Sequence, residues 1–371
     1  MTIDTINSFN NYELVIQGGN IVFLGELDHA GNDVTLLSSG TITDSDSNID
    51  VTANRLTVSA NNGISDSGGG NPFETDVSAL DVVVNNTGLI NIDEADMLDV
   101  IQAVNANGDI ILSAGGHIDL QGNVEALGAL VRLSTTGGGN ITQSGGRAAG
   151  NELAINAAGG VNLGSSNNDF DTAAGDASGG ALILRDLDDL RIDAVGVETD
   201  LTSGPGQAII LRAGSLILDA QINPGTDLTL IATNGGIDQT DGRINAANLA
   251  FDAAGDVNLT RPNNNFTAQI AGVSSGTISV VDDNGLTVGS FGGYTGLTAP
   301  MDIDLQADLG NLSLGAAVDA GSANVRLSAL GGNIDQPGGA ITAGGVEFEG
   351  NTVRLDHMAN AFDQLAGASM G

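Results

Sequence analysis

Three acidic clusters fall at matching positions along this chain: "NIDEADMLDV" from Asn91, "LRDLDDLRI" from Leu184 and "VVDDNGLTV" from Val280. Alignment superimposes Glu94 on Asp186 and Asp282, and Asp96 on Asp188 and Asn284, with Asp283 beside the last pair. Oxygens crowded on a turn are the donor set that Ca²⁺ takes, roughly six to eight at ~2.3–2.6 Å. Glu94, Asp96, Asp186, Asp188, Asp282 and Asp283 are therefore the candidate cation ligands. Neither an EF-hand pattern nor the Gly-Gly-x-Gly-x-Asp nonapeptide of calcium β-rolls frames them. Metal-free Asx turns between strands use the same residue types, so both readings stand.

Other chemistry finds less support. The chain has no cysteine, hence no disulfide framework and no thiolate metal site. His29, His117 and His357 do not recur in phase and have no companions at ligand spacing, so each reads as a surface or turn residue. The Gly-x-Ser-x-Gly strings that begin at Gly272 and Gly367 are not followed by the helical pattern that a nucleophile elbow needs. An acid pair such as Asp188 and Asp189 could form a glycosidase dyad, which makes a carbohydrate-active β-helix enzyme the alternative function. Against it, Trp and Lys are absent, removing the aromatic platform of a sugar cleft and the cationic base of a lyase. The expectation is a non-enzyme that requires no cofactor, with Ca²⁺ as the candidate ion.

The elements that would position these acids come from repetition. Ile42, Ile141, Ile237 and Ile334 sit in related phrases ("TITDSDSNI", "NITQSGGRA", "GIDQTDGRI", "NIDQPGGAI") 99, 96 and 97 residues apart. Val34, Val131, Leu228 and Val325 open similar strands at intervals of 97, and Phe73, Phe170, Phe266 and Phe362 follow at 97, 96 and 96. The chain is thus a tandem array of a unit of about 97 residues. One continuous solenoid over residues 1–371 is expected, divided into 1–33 (partial), 34–130, 131–227, 228–324 and 325–371 (partial).

Within a unit, apolar and polar residues alternate in short runs such as "LTLIA" from Leu228, "ISVVD" from Ile278 and "VRLSA" from Val325. Period-two patterning means strands. Gly, Asn and Asp clusters ("ATNGG", "VDDNG") separate them every 20 to 29 residues, as turns would. A string of sandwiches fits the length, but similarity persists at turns as well as strands, and one circuit per 20 to 29 residues suits a parallel β-helix of about four coils per unit and about 15 in all. At ~4.8 Å per coil that is a rod on the order of 70 Å long. The recurrent Phe residues read as packing residues, and the "VRL" arginines Arg132, Arg326 and Arg354 as outward neighbours of buried aliphatics.

Composition limits the partners. Ten basic residues against 46 acidic ones give a formal net charge of -36, a surface that repels nucleic acid and anionic membranes and attracts cations. No run of 18 or more apolar residues suggests a membrane span, and the start, "MTIDTINSFNNYELV", lacks signal-peptide regions. Apolar residues at 41% are too many for a disordered chain.

The run "GGIDQTDGRINAANLAFDAAGDVNLTRPNNNF", from Gly235 to Phe266, and its counterpart "GNITQSGGRAAGNELAINAAGGVNLGSSNNDF" resemble the repeats of filamentous-haemagglutinin-like exoproteins and related giant bacterial surface adhesins. The resemblance covers essentially the whole chain. It implies a right-handed parallel β-helix, bacterial secretion to the cell surface, and the role of an adhesin shaft contacting host or neighbouring cells. An amino-terminal secretion domain with Asn-Pro-Asn motifs is not found.

"SFNNY" (Ser8 to Tyr12) matches "SFGGY" (Ser290 to Tyr294), so the chain opens and closes at nearly the same phase of the repeat. Two expectations follow: a piece of a longer array, or a subunit whose carboxyl end seats on the amino end of the next copy as a head-to-tail homopolymer.

Overall fold

The computed structural model describes residues 1–7, 14–66 and 72–369. The Ser8–Tyr12 half of the repeated phrase lies outside them. The described residues hold no helix, and therefore none long and apolar enough to cross a membrane. Parallel strands stack as a β-solenoid of about 17 turns. The chain divides into two compact units, one of Met1–Asp186 with Val195–Glu198, the other of Leu187–Ala194 with Thr199–Gly371.

A turn is three short strands. In the first unit Ile110–Ala114, Ile118–Leu120 and Val124–Thr135 make one circuit, and Ile110, Ile118 and Val124 pair in register with Val131, Ile141 and Ala148 of the next. In the second unit Ile209, Leu216 and Ile222 likewise lie under Leu228, Ile237 and Ile244. Alternation sends every second side chain inward: Ile110, Leu112 and Ala114 are buried while Ile111 and Ser113 are only half so. No turn is stable alone, because its edge N–H and C=O groups and half its apolar contacts are supplied by the turns above and below.

The repeat is not a whole number of turns. Val34 stacks on Leu56, Leu80 and Val100, and the strand holding Val100 continues through Ile118 to Ile141. Ile42, by way of Ile64, Ile90 and Ile110, arrives at Val131. The second unit repeats this, with Ile237 reaching Val325 through Val257, Ile278 and Ile303. Each 97-residue unit therefore holds four turns and one further face. The extra face accounts for about 17 turns where four coils per unit predict about 15.

Phe73, Phe170 and Phe266 are at most 1% exposed, as their spacing predicts, whereas Phe362 is half-buried. Phe73 meets Phe23 edge-to-face at 5.1 Å between ring centroids, the geometry that aromatic quadrupoles favour. Phe170→Ala would leave a ring-sized void in a close-packed core and is expected to cost about 3–5 kcal/mol, read from the denaturant midpoint. A cost under about 1 kcal/mol would mean the site collapses freely, against the packing described.

Two loops leave the turns and fold back over an outward face. In the first unit Val195 and Glu198 form an antiparallel bridge; Val195 packs on Ala154 and Ala174, and Glu198 pairs with Arg132 at 3.2 Å. In the second, Ser290–Phe291 and Tyr294–Thr295 form a hairpin. Its tip, Gly292 and Gly293, has φ of 63° and 91°, as a tight two-residue hairpin turn demands. Gly292 lies against the Ala250 methyl, and the Tyr294 hydroxyl donates to Asp252 at 3.0 Å. The covered residues Ala154, Ala174, Ala250 and Ala271 are 0% exposed although they point out of the turn, so alternation of burial breaks there.

Candidate functional site

Glu94, Asp186 and Asp282 are buried, at 1%, 4% and 0% exposure. Asp186 accepts the Phe170 amide at 2.8 Å, and Asp282 accepts the Phe266 amide at 2.5 Å and that of Asn284 at 2.8 Å. Glu94 accepts the Thr75 hydroxyl at 2.7 Å and the Val77 amide at 3.0 Å. The periodic acids and the periodic phenylalanines are thus one device. A carboxylate on one turn caps the amide of the aromatic strand on the turn before, where an unpaired N–H would be costly.

Their neighbours face outward: Asp96 and Asp188 are exposed and Asp283 half-buried. The structure does bring Glu94 and Asp96 together with Asp76, each offering an oxygen within 4.8 Å of the others. It gathers a second such group that the sequence reading missed, Asp44, Asp50 and Glu74. Among the described residues neither Asp186 with Asp188 nor Asp282 with Asp283 belongs to a group of this kind. Of the histidines, His117 and His357 are exposed and accept backbone amides at Nδ1; His29 opens a turn, its carbonyl accepting the Asn32 amide at 3.1 Å, but is buried at 1% exposure.

Burial raises several of these acids. It pushes the Asp50 carboxyl up to about 8, with Asp44 adding repulsion against the pull of the Glu74 amide. Glu74 rises to about 7 from burial and from Asp44. Glu94 rises to about 7 and Asp282 to about 6, burial outweighing the hydrogen bonds they accept. Exposed Asp241 moves the other way, held down by its hydrogen bond from Arg261.

The most repeated polar arrangement is an amide pair. Gln239 and Asn264 exchange two hydrogen bonds at 2.8 Å, while Asn264 also accepts the Ile244 amide at 2.9 Å and donates to the Leu259 carbonyl at 3.2 Å. Gln143 with Asn168 and Gln336 with Asn360 repeat it, capping Ala148 and Ile341. Each asparagine stands two residues before a periodic phenylalanine, and each glutamine two after a periodic isoleucine. That spacing was the available signal. Asn264 and Asn168 are 0% exposed, so these pairs fasten one turn to the next inside the wall.

Fold and site together define a parallel β-solenoid whose turns are fastened by recurrent buried amide pairs and carboxylate caps. Residues 107–176, 206–273 and 302–369 each match a family model described as repeats of unknown function (DUF5649). These segments make up more than half of the chain, which belongs to that family. They begin 99 and 96 residues apart, in step with the array. No curated protein and no solved structure gives a significant match.

Proposed function

We propose that this chain is an extracellular structural protein: a stiff acidic solenoid that serves as subunit of a head-to-tail surface filament, with the shaft of a larger bacterial adhesin as the nearest variant. The observation that carries the reading is the recurrence of the same fastenings along the chain: three Gln–Asn pairs, at 143 with 168, 239 with 264 and 336 with 360, and two carboxylate-capped phenylalanines, Phe170 and Phe266. Such a sequence adds length at constant cross-section, and most of its in-phase polar residues are committed to internal hydrogen bonds. The acids accordingly have a structural task, and the reading assigns the chain no catalytic step.

With a net charge of -36, copies that stack need counter-ions, and the carboxylates of Asp44, Asp50 and Glu74 or of Asp76, Glu94 and Asp96 would supply part of a Ca²⁺ shell.

Light scattering on the purified chain over a range of concentrations tests the assembly. Mass that grows with concentration is the expected result; a constant monomer mass at every concentration, with intact termini, contradicts the filament and leaves the adhesin shaft.

A further inference from the structure

One outward column breaks the repetition. Arg212, Ile231 and Asp252 stack in register on three successive turns of the second unit. The same column is Ser113, Ser134 and Asn156 one repeat earlier, and Gln306, Ser328 and Glu349 one repeat later. Among these copies the middle one alone sets a cation and an anion on either side of an aliphatic side chain. Arg212 is exposed and joins no ion pair among the described residues, although the chain carries 46 acids. The hairpin of Ser290–Phe291 and Tyr294–Thr295 folds back beside this column. Tyr294 thereby joins Arg212, Ile231, Asp252, Thr233 and Ser275 around a groove of about 400 Å³. Its hydroxyl donates to Asp252 Oδ2 at 3.0 Å, which fixes the carboxylate while its second oxygen can accept from a ligand. A loop carried over a rigid wall is where binding residues concentrate.

We propose that this groove binds a short zwitterion of dipeptide size, its carboxylate on Arg212 and its ammonium on Asp252 beside the Tyr294 ring. A guanidinium with no internal ion pair is a carboxylate receptor, and a carboxylate flanked by an aromatic ring suits an ammonium. Ile231 between them takes the aliphatic part, and Thr233 and Ser275 offer hydroxyls to the peptide group. The strands carrying Arg212 and Asp252 stand two ladder steps apart, ~9.6 Å. An extended two-residue chain of ~7 Å suits that span; an α-amino acid, with a single carbon between its charged groups, is too short. Charge decides against a simple anion, because a net charge of -36 repels it, whereas a zwitterion arrives neutral. Such binding adds to the structural role and does not depend on assembly.

Ligand-observed NMR titration of the full chain with L-alanyl-L-alanine tests the site. Saturable binding is expected, weakened about tenfold or more by Arg212→Gln and by Asp252→Asn, each of which removes one charge-assisted contact. Alanine and N-acetyl-alanylalanine should likewise bind about tenfold or more weakly than the dipeptide. Arg212 is exposed and outside every ion pair among the described residues, so Arg212→Gln should keep the parent Tm and carries the test alone if Asp252→Asn unfolds. Equal binding by the parent and Arg212→Gln, or no saturable binding at all, overturns the site. N-acetyl-alanylalanine bound as tightly as the dipeptide would mark a plain anion site and overturn the zwitterion.

Discussion

Replacing Asn264 by Ala is expected to cost on the order of 4 kcal/mol, among the largest single-site losses open to this chain. The change strands the Ile244 amide, the Leu259 carbonyl and both ends of the Gln239 amide in a place that is 0% exposed. Each buried group left unpaired costs about 1–3 kcal/mol. Asn263, next in the chain and exposed, is the control, with Asn263→Ala expected within about 0.5 kcal/mol of the parent. Because solenoid turns open locally, hydrogen exchange at the Ile244 amide reads the loss directly. Protection there unchanged by Asn264→Ala would show that the amide pair does not fasten the turns.

Stability is expected to fall as pH rises from about 5 to about 8. Asp50 at about 8, Glu74 and Glu94 at about 7 and Asp282 at about 6 all stand above their ordinary range because burial penalises the charged form. The folded chain holds these protons to higher pH than the unfolded chain does, so it binds more protons between roughly pH 4 and 8. The stabilisation is complete below the unfolded values and is lost as pH climbs through the folded ones. For Asp50 alone, going from 3.8 to about 8 corresponds to on the order of 5 kcal/mol. Repulsion within the net -36 charge works in the same direction. Asp50→Asn should therefore raise the Tm at pH 8 and leave it nearly unchanged at pH 4, since its side-chain oxygen can still accept the Glu74 amide. Ca²⁺ competes with the same protons, so it should raise the Tm at pH 8 and lose its effect by pH 5. A Tm indifferent to pH, EDTA and salt over this interval would refute the account of the acids.

Much of the fold could be read from spacing. The isoleucine, valine and phenylalanine markers recur because they occupy equivalent buried places, and alternation showed which side chains turn inward. What spacing could not reveal was the extra face in each repeat, because turns differ in length and the ladder slips locally, as between Leu80 and Asp81 and between Ala126 and Leu130. The acids were visible as clusters, but a cluster does not say which carboxylate points in. Only stacking shows Asp282 beneath Phe266. Asp44, Asp50 and Glu74 escaped notice because their separations, 6 and 24 residues, mean proximity only once the length of a turn is known. The folded-back loops left a fainter trace, alanine at outward positions 154, 174, 250 and 271, which reads as an ordinary small residue until something is seen to cover it.

The claim that length is this chain's product is tested most directly by electron microscopy of the purified protein, with Ca²⁺ and with EDTA. Unbranched fibres whose strand spacing of ~4.8 Å continues along the fibre axis from copy to copy are the predicted result. Separate particles at every concentration, in both conditions, would contradict it.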